Sequence, residues 1–233
     1  MMLSVVNHMP IYKKVNKDFF KEWSHDMAYV LGFFAADGYI THNKRGASFW
    51  SIQITDKKLL YEIRKSIDSE HKISERVRDS VGKNIYRLQI GSKEMVEDLI
   101  LLGFNSNKTN NIEVPEIPKK YFVDFVSGFF DGDGNVWSGY IHKERKTKSL
   151  IIQVAFTSCS KKFLISLKEN LHEYGLIGGS IYTHKVKKYS RLSFVGVDAL
   201  KIYKMMYNGK TSLFLERKKQ VFEKYLKNTK VRP

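Results

Sequence analysis

The sequence predicts an α+β protein built from two similar halves. A short apolar pattern occurs twice, as VLGFFAADG over residues 30–38 and as VSGFFDGDG over residues 126–134. Each copy is followed by segments in which apolar and polar residues alternate, which indicates β-strands, and by longer stretches with helical spacing. The order of these segments is the same after both copies. We therefore predict two pseudo-symmetric αββαββα halves, with the two repeated helices at the central interface.

Small residues lie four positions apart in each repeated helix. They are Gly32 and Ala36 in the first copy, and Gly128 and Gly132 in the second. Residues at positions i and i+4 share one face of a helix, and small side chains there allow two backbones to approach closely. We therefore predict that these four residues form the contact between the two helices.

Both copies end in Asp-Gly, with Asp37 and Asp133 in the last helical turn. We expect Gly38 and Gly134 to adopt the left-handed conformation that ends many helices. A carboxylate at the negative end of a helix dipole is disfavoured by about 0.3–1 kcal/mol. Two neighbouring carboxylates also repel each other unless a cation lies between them. Because paired carboxylate oxygens suit Mg²⁺, the residues alone predict a metal site where the two helices end.

The elements of the first half follow from changes in periodicity. Alternating apolar residues predict strands over residues 48–54 and 84–90, with a further alternating segment at 73–78. Helices are predicted over residues 57–67 and 93–102, the second ending before a glycine. In each strand one set of alternate side chains faces the core and the other faces outward.

The second half repeats this order. Strands are predicted over residues 152–157 and 191–194, and helices over 161–174 and 198–207. An additional helix is predicted over 211–227, with an apolar stripe that packs on the protein and basic residues that lie in solvent.

The chain divides into four parts on this pattern. Residues 1–23 form an N-terminal arm, 24–113 the first half, and 114–118 a short proline-containing linker. Residues 119–233 form the second half together with the added C-terminal helix.

Composition restricts the partners of the protein. The chain has 233 residues, of which 42% are apolar, so it can bury a substantial core, and its net charge of +16 favours a polyanionic partner. A membrane is not expected, because no apolar stretch approaches the roughly 20 residues that span a bilayer. No secretion signal is recognised, and the single cysteine, Cys159, excludes an internal disulfide, so we expect an intracellular protein. Cys159 is expected to be a small buried hydrophobic residue.

The repeated pattern resembles that of the LAGLIDADG homing endonucleases, in the form that carries both motifs on one chain. The resemblance covers residues 24–207. The catalytic acid of the family is the eighth motif residue, which falls on Asp37 and Asp133 here. The resemblance implies metal-dependent hydrolysis of both strands of double-stranded DNA, with Mg²⁺ as the ion and Mn²⁺ as the alternative. The metal site would comprise Asp37 and Asp133 with the residues that precede them, Ala36 and Gly132.

This sequence departs from the family pattern at two kinds of position. At the sixth motif position Ala35 stands opposite Asp131, so we expect Asp131 to be a partly exposed helix residue that takes no part in symmetric chemistry. The family usually adds basic or polar auxiliary residues around the metals, and none of the corresponding positions holds a lysine. These positions lie near Asp56, Gly91, Ser160 and Val195.

The resemblance further implies that the two sheets form a saddle over duplex DNA, with outward strand residues in the major groove. Arginine can bind guanine and glutamine can bind adenine through the edges of the bases, so several of these residues are suitable for base recognition. The candidates are Ser51, Gln53, Arg76, Arg78, Arg87, Gln89, Gln153, Thr157, Lys185, Arg191 and Ser193. The basic segments 41–45, 143–148 and 185–188 are expected to bind phosphates instead.

Other functions on the same scaffold stay open at this stage. A non-catalytic DNA-binding regulator and a maturase that binds intron RNA would both need a basic surface without needing both acids. A structural protein of a ribonucleoprotein would not explain the matched Asp-Gly ends. Retention of both Asp37 and Asp133 favours the endonuclease, acting as a monomer on a long asymmetric target.

Overall fold

The computed structural model describes residues 13–77, 82, 84–105, 112–142, 144 and 146–230. Each half contains an opening helix, two strands, a helix, two strands and a closing helix. The elements of the first half are α1 (His25–Asp37), β1 (Gly38–His42), β2 (Ser48–Ile54), α2 (Lys57–Ser66), β3 (Ile73–Arg76), β4 (Ile85–Gly91) and α3 (Lys93–Leu101). Those of the second half are α4 (Phe122–Asp133), β5 (Gly134–Ile141), β6 (Ser149–Ser158), α5 (Lys161–Glu173), β7 (Ser180–Thr183), β8 (Ser190–Val195) and α6 (Val197–Tyr207), followed by α7 (Glu216–Lys230).

The strands form two antiparallel sheets with the same topology. The strand order is β1-β2-β4-β3 in one sheet and β5-β6-β8-β7 in the other. The register agrees as well, because Gln53 pairs with Arg87 in the first sheet and Thr157 pairs with Arg191 in the second. The predicted fold class, two pseudo-symmetric αββαββα halves, is confirmed.

Side-chain caps fix where several helices begin. The Ser24 hydroxyl accepts a hydrogen bond from the Met27 amide at the start of α1. Asp56 caps α2, Ser92 caps α3 and Ser160 caps α5 in the same way, each accepting from the amide three residues later. Such caps satisfy amide groups that have no partner within the helix, which typically contributes about 1 kcal/mol.

The buried side chains form a continuous core beneath both sheets. The described part of the N-terminal arm joins this core, since Phe19 and Phe20 are buried and Phe20 packs edge-on against Trp50. Just before the linker Ile112 is buried, and its carbonyl oxygen accepts a hydrogen bond from the Ser160 hydroxyl at 2.7 Å. No helix in the described part of the chain is both long and apolar enough to cross a membrane.

The C-terminal helix differs from its prediction. It begins at Glu216 rather than at residue 211, and it contacts α6 and the strands β5 and β6. Lys218 was expected in solvent with the other basic residues, but only 5% of it is exposed. That prediction is wrong because Lys218 lies on the same stripe of α7 as the buried Phe222, one turn further on.

Candidate active site at the paired helices

Helices α1 and α4 cross at two glycines that have no space for a side chain. A Cβ atom at Gly32 would overlap the carbonyl group of Phe125, and one at Gly128 would overlap the carbonyl group of Tyr29. The two backbones are therefore in direct contact, which any larger residue would prevent.

The contact continues to the C-terminal ends of both helices. A Cβ atom at Gly132 would overlap the Cβ atom of Ala36 and would lie 3.4 Å from Oδ2 of Asp37. The carboxylate of Asp37 thus lies against the backbone of α4. The small residues place the last turns of the two helices, which carry Asp37 and Asp133, side by side.

The glycines after the two acids are required for a different reason from the one predicted. Gly38 and Gly134 are extended, with φ of −86° and −87°, so the expected left-handed conformation is wrong. Their amides donate to the carbonyl oxygens of Phe34 and Phe130, and each helix passes directly into a strand. A side chain at either glycine would overlap the phenylalanine four residues earlier. Glycine is needed for space at this junction and not for a left-handed turn.

Both acids line a cleft of about 300 Å³, which we call the Cys159 cleft. Its wall also includes Asn105, Ser158 and Cys159. Cys159 is exposed, so its predicted burial is wrong. It follows the last residue of the central strand β6, where the chain turns towards α5.

A second cleft, of about 360 Å³, lies on the other side of Asp37, and we call it the Arg217 cleft. Its wall includes Asp37, Gln53, Thr55, Gly132 and Arg217. Residues of the first sheet, of α4 and of α7 therefore meet around the Asp37 carboxylate.

The two clefts occupy equivalent places in the two halves. Ile54 ends β2 and Ser158 ends β6, and each pairs with the equivalent residue of the neighbouring strand. Thr55 and Cys159 directly follow them and line the Arg217 cleft and the Cys159 cleft respectively. The fold therefore provides one such cleft in each half.

The residues around the clefts fit a magnesium-type ion better than a transition metal. Among the described residues no group of three or more His, Cys, Asp and Glu side chains could hold a metal. Asp37 and Asp133 supply the carboxylates in the wall of the Cys159 cleft. Mg²⁺ commonly binds one or two carboxylates and keeps its other positions for water and phosphate oxygens.

Lys218 reaches the end of α4 from the C-terminal helix, and sequence reasoning missed it. Its ammonium group donates to the carbonyl oxygens of Phe130, of Asp131 at 2.9 Å and of Gly134 at 2.6 Å. It therefore satisfies backbone groups that the end of a helix leaves unpaired. Burial lowers the pKa of Lys218 to about 8, although the negative charges of nearby acids oppose that shift. The sequence did contain a signal for this role, because Lys218 lies within the apolar stripe of α7.

Asp131 is 3% exposed, so the predicted partial exposure is wrong. Its Oδ2 atom accepts hydrogen bonds from the Tyr29 hydroxyl at 2.7 Å and from the Leu215 amide at 2.8 Å. Burial raises the pKa of Asp131 above its ordinary value, while these two donors act in the opposite direction. Asp131 thus joins α4 to α1 and to the start of α7.

The positions where the family places auxiliary residues have structural roles here. Asp56 and Ser160 are helix caps. Gly91 and Val195, at the ends of β4 and β8, offer no charged side chain. Among the described residues, α7 contributes Arg217 to the wall of one cleft and Lys218 to the end of α4.

The outward face of the first sheet carries several of the predicted DNA-binding residues. Gln53 and Arg87 pair across β2 and β4, and they share a recess of about 220 Å³ with Arg76 of β3. Gln53 donates to the Tyr39 hydroxyl at 2.6 Å. Gln89 is partly exposed next to Ser51 on the neighbouring strand.

Ser51 and Arg78 differ from the other predicted DNA-binding residues of the first half. Ser51 lies on the outward face but is completely buried, so the prediction that it is available to DNA is wrong for this structure. Its pairing neighbours, Tyr39 and Gln89, carry larger side chains on the same face. Arg78 lies outside the described residues.

The second sheet presents a different outward surface. Thr157 and Arg191 pair across β6 and β8, and Arg191 is exposed. Gln153 and Ser193 are partly exposed on the same two strands. Lys185 is exposed but lies in the turn between β7 and β8, so its prediction as a strand residue is wrong.

Sequence comparisons find relatives for both halves. Residues 24–100 match the LAGLIDADG-like domain family. An uncharacterized protein of Methanocaldococcus jannaschii is 25% identical over 217 residues, which cover 88% of this chain and 73% of that protein. The replication factor C small subunit of the same organism is 23% identical over 167 residues, which cover 71% of this chain. The chain spans only 9% of the length of that second protein.

Solved structures resemble the chain over most of its length. I-SmaMI bound to an uncleaved DNA target with calcium ions has a TM-score of 0.58 at 13% identity, covering 88% of this chain and 90% of that one. I-SmaMI bound to cleaved DNA has a TM-score of 0.59 at 14% identity, covering 88% of each chain. The LAGLIDADG homing endonuclease I-LtrWI bound to target DNA has a TM-score of 0.57 at 12% identity, covering 92% of this chain and 91% of that one. Residues 24–100 thus match the LAGLIDADG-like domain family, and the whole chain has the two-half fold of the LAGLIDADG homing endonucleases.

Proposed function

We propose that the protein is a site-specific double-strand DNA endonuclease that hydrolyses phosphodiester bonds with a divalent metal. One observation carries the proposal: Asp37 and Asp133, at equivalent ends of two helices in contact, line a common cleft. Because the two acids occupy equivalent positions, each would serve the cleavage of one DNA strand. The net charge of +16 and the DNA-bound state of the similar structures support a duplex as the partner.

Asp37 and Asp133 would hold the metal, Mg²⁺ or Mn²⁺, together with the adjacent Ala36 and Gly132, which have only backbone oxygens to offer. A bound divalent ion would activate water and neutralise charge on the phosphate and on the leaving oxygen. The protein contributes the fixed separation of the two carboxylates, because the helices that carry them touch at Gly32 and Gly128. Lys218 fixes the end of α4 beside Asp133.

The outward sheet faces would bind the major groove. Gln53 and Gln89 of the first sheet differ from Thr157 and Ser193, their equivalents in the second, whereas Arg87 and Arg191 match. Two different surfaces cannot present the same chemistry to two half-sites, so the target is expected to be asymmetric, and the protein acts as a monomer. Exposed basic residues such as Lys146 and Lys185 would bind phosphates and position the duplex.

A cleavage selection tests this function directly. A randomised duplex library is digested with Mg²⁺, and the cut ends are sequenced. We expect both strands to be cut within one long sequence. If a sequence is bound but never cut in Mg²⁺ or Mn²⁺, the protein is a non-catalytic DNA-binding regulator. Retention of intron RNA in place of any duplex would identify a maturase.

A further inference from the structure

The two clefts beside the acids are equivalent in the fold but differ in charge. The Arg217 cleft contains a guanidinium group, whereas the Cys159 cleft has Asn105 and Cys159 in its wall and no basic residue among those described. The difference arises because α7 follows the second half only, and no helix in the described first half corresponds to it. The added helix therefore breaks the pseudo-symmetry of the site.

Arg217 is held in place by its neighbours in the sequence. The Leu215 amide donates to Asp131 at 2.8 Å, and the Lys218 ammonium donates to the carbonyl oxygen of Gly134 at 2.6 Å. One anchor lies directly before α7 and the other in its first turn, and both hold this end of the helix backbone against the end of α4. Arg217 lies between them in the sequence and is itself exposed in the cleft beside Asp37.

The two clefts also differ in charge at the sixth motif position. Asp131 and Arg217 line the same cleft, and Asp131 lies close enough for the guanidinium charge to act on its carboxyl group. In the Cys159 cleft the equivalent residue is Ala35, which carries no charge. The cleft that contains Arg217 thus also contains Asp131, whereas the equivalent cleft has Ala35 at that position.

We propose that Arg217 contacts the scissile phosphate of one DNA strand, the strand that enters the Arg217 cleft, and stabilises negative charge on its phosphoryl oxygens. This inference rests on the proposed function. Hydrolysis joins a water oxygen to phosphorus, breaks a phosphorus–oxygen bond of the backbone, and leaves a proton on the departing oxygen. A guanidinium group suits the charged phosphoryl oxygens because its planar donors can bind two of them at once. Among the described residues no basic group takes this place in the Cys159 cleft, so we expect the two strands to be cut at different rates.

A phosphate scan can locate the contact without any cleavage. The duplex obtained by selection for binding is prepared as a series in which single phosphates, on either strand, are replaced by neutral methylphosphonate. Affinity is measured in EDTA for the natural protein and for Arg217→Ala. We expect Arg217→Ala to weaken binding of the unmodified duplex about tenfold, as for loss of one charged hydrogen bond. At one phosphate on one strand, the methylphosphonate should remove this difference.

Two variants serve as matched controls. Arg217→Lys keeps the charge and should retain part of the dependence on that one phosphate. Lys224→Ala removes a positive charge from an exposed position of the same helix and should weaken binding of all duplexes in the series equally. If the Arg217→Ala loss is equal for every duplex, or depends on equivalent phosphates of both strands, the inference is wrong.

Cleavage in Mg²⁺ gives a second and independent result. Arg217→Ala should accumulate a duplex nicked in one strand, with the intact strand being the one identified by the phosphate scan. If the natural protein binds but cuts neither strand, the proposed endonuclease function fails, while the phosphate scan still decides whether Arg217 contacts one strand. If no duplex is bound specifically, both proposals fail.

Discussion

The Lys218 ammonium group donates a hydrogen bond to the carbonyl oxygen of Gly134 at 2.6 Å, which joins the C-terminal helix to the end of the second motif helix. The same group also binds the carbonyl oxygens of Phe130 and Asp131. A single buried lysine thus satisfies the backbone groups beside one of the two proposed catalytic acids. Removing it should affect both the stability of the protein and the position of that acid.

We expect Lys218→Met to lower the free energy of unfolding by about 1–3 kcal/mol at pH 7, because buried carbonyl groups lose a charged donor. The loss should grow between pH 8 and pH 10.5. The folded protein releases the Lys218 proton near pH 8, whereas the unfolded chain keeps it to about pH 10.5. Between these two pH values the unfolded state binds more protons than the folded state. The free energy of unfolding of the natural protein therefore rises with pH, by up to about 3 kcal/mol in total, and Lys218→Met lacks this rise.

Urea denaturation at a series of pH values measures this difference. Lys224→Met, at an exposed position of the same helix, is the control and should leave the slope unchanged. Parallel pH profiles for the natural protein and Lys218→Met would show that Lys218 does not titrate in this way.

Asp37→Asn and Asp133→Asn should each preserve duplex binding but abolish double-strand cleavage. An amide keeps the size of the carboxylate and loses the charge that a divalent metal requires. Replacing Mg²⁺ by Ca²⁺ should also permit binding without cleavage. Binding and cleavage are followed with the selected duplex by gel shift and by strand-resolved electrophoresis.

Asp56→Asn is the matched control for the two acids. Asn caps helices about as well as Asp, so the cap of α2 should persist and cleavage should continue. Normal double-strand cutting by either Asp37→Asn or Asp133→Asn would contradict the assignment of the catalytic acids.

Gly128→Ala should destabilise the protein by about 1–3 kcal/mol or more, because the new methyl group would overlap the Tyr29 carbonyl. Gly128→Leu should separate the helices further and misplace both acids. Ser127→Ala, at the adjacent buried position, removes a hydroxyl that bonds within its own helix and should cost less than about 1.5 kcal/mol. Thermal unfolding and cleavage are measured together, and a Gly128→Leu protein with normal values of both would exclude close contact of α1 and α4 at this position.

Arg87→Ala should reduce affinity by about 1–3 kcal/mol and relax the base preference at one position only. Lys146→Ala should weaken binding to all sequences and reduce the slope of binding against salt by about one unit. Affinities for a panel of single-base variants at several salt concentrations distinguish the two effects. An equal loss over all variants for Arg87→Ala, or a palindromic preferred site, would show that the first sheet does not recognise bases through Arg87.

The pairing of α1 with α4 could be predicted from the sequence because its cause is local. Small residues four apart define one helix face, and an Asp-Gly pair marks each helix end regardless of what surrounds it. Strand alternation likewise specified the core face of each sheet, because side chains alternate strictly along a strand. These features repeat in both halves, so each half supported the interpretation of the other.

The Asp-Gly glycines and the outward strand residues show where local pattern is insufficient. Gly38 follows a helix, as a left-handed cap would, yet only the packing of the Phe34 ring shows that space is the constraint. Ser51 alternates correctly onto the outward face, but neighbouring strands cover it completely. Exposure depends on side chains that lie close together only in the folded sheet.

The sequence by itself determined the two-half fold and the paired acids, since both are expressed as repeated local patterns. Only the tertiary structure decided the roles of Asp131, Arg217 and Lys218. Asp131 contacts the start of α7 across 84 residues of sequence, and Lys218 contacts the end of α4 over a similar separation. Neither contact has a counterpart among the described residues of the first half, so the repeat did not reveal it. The charge beside the proposed active site depends on how the added helix packs, because a buried lysine and a solvated one are indistinguishable until the surrounding surface is known.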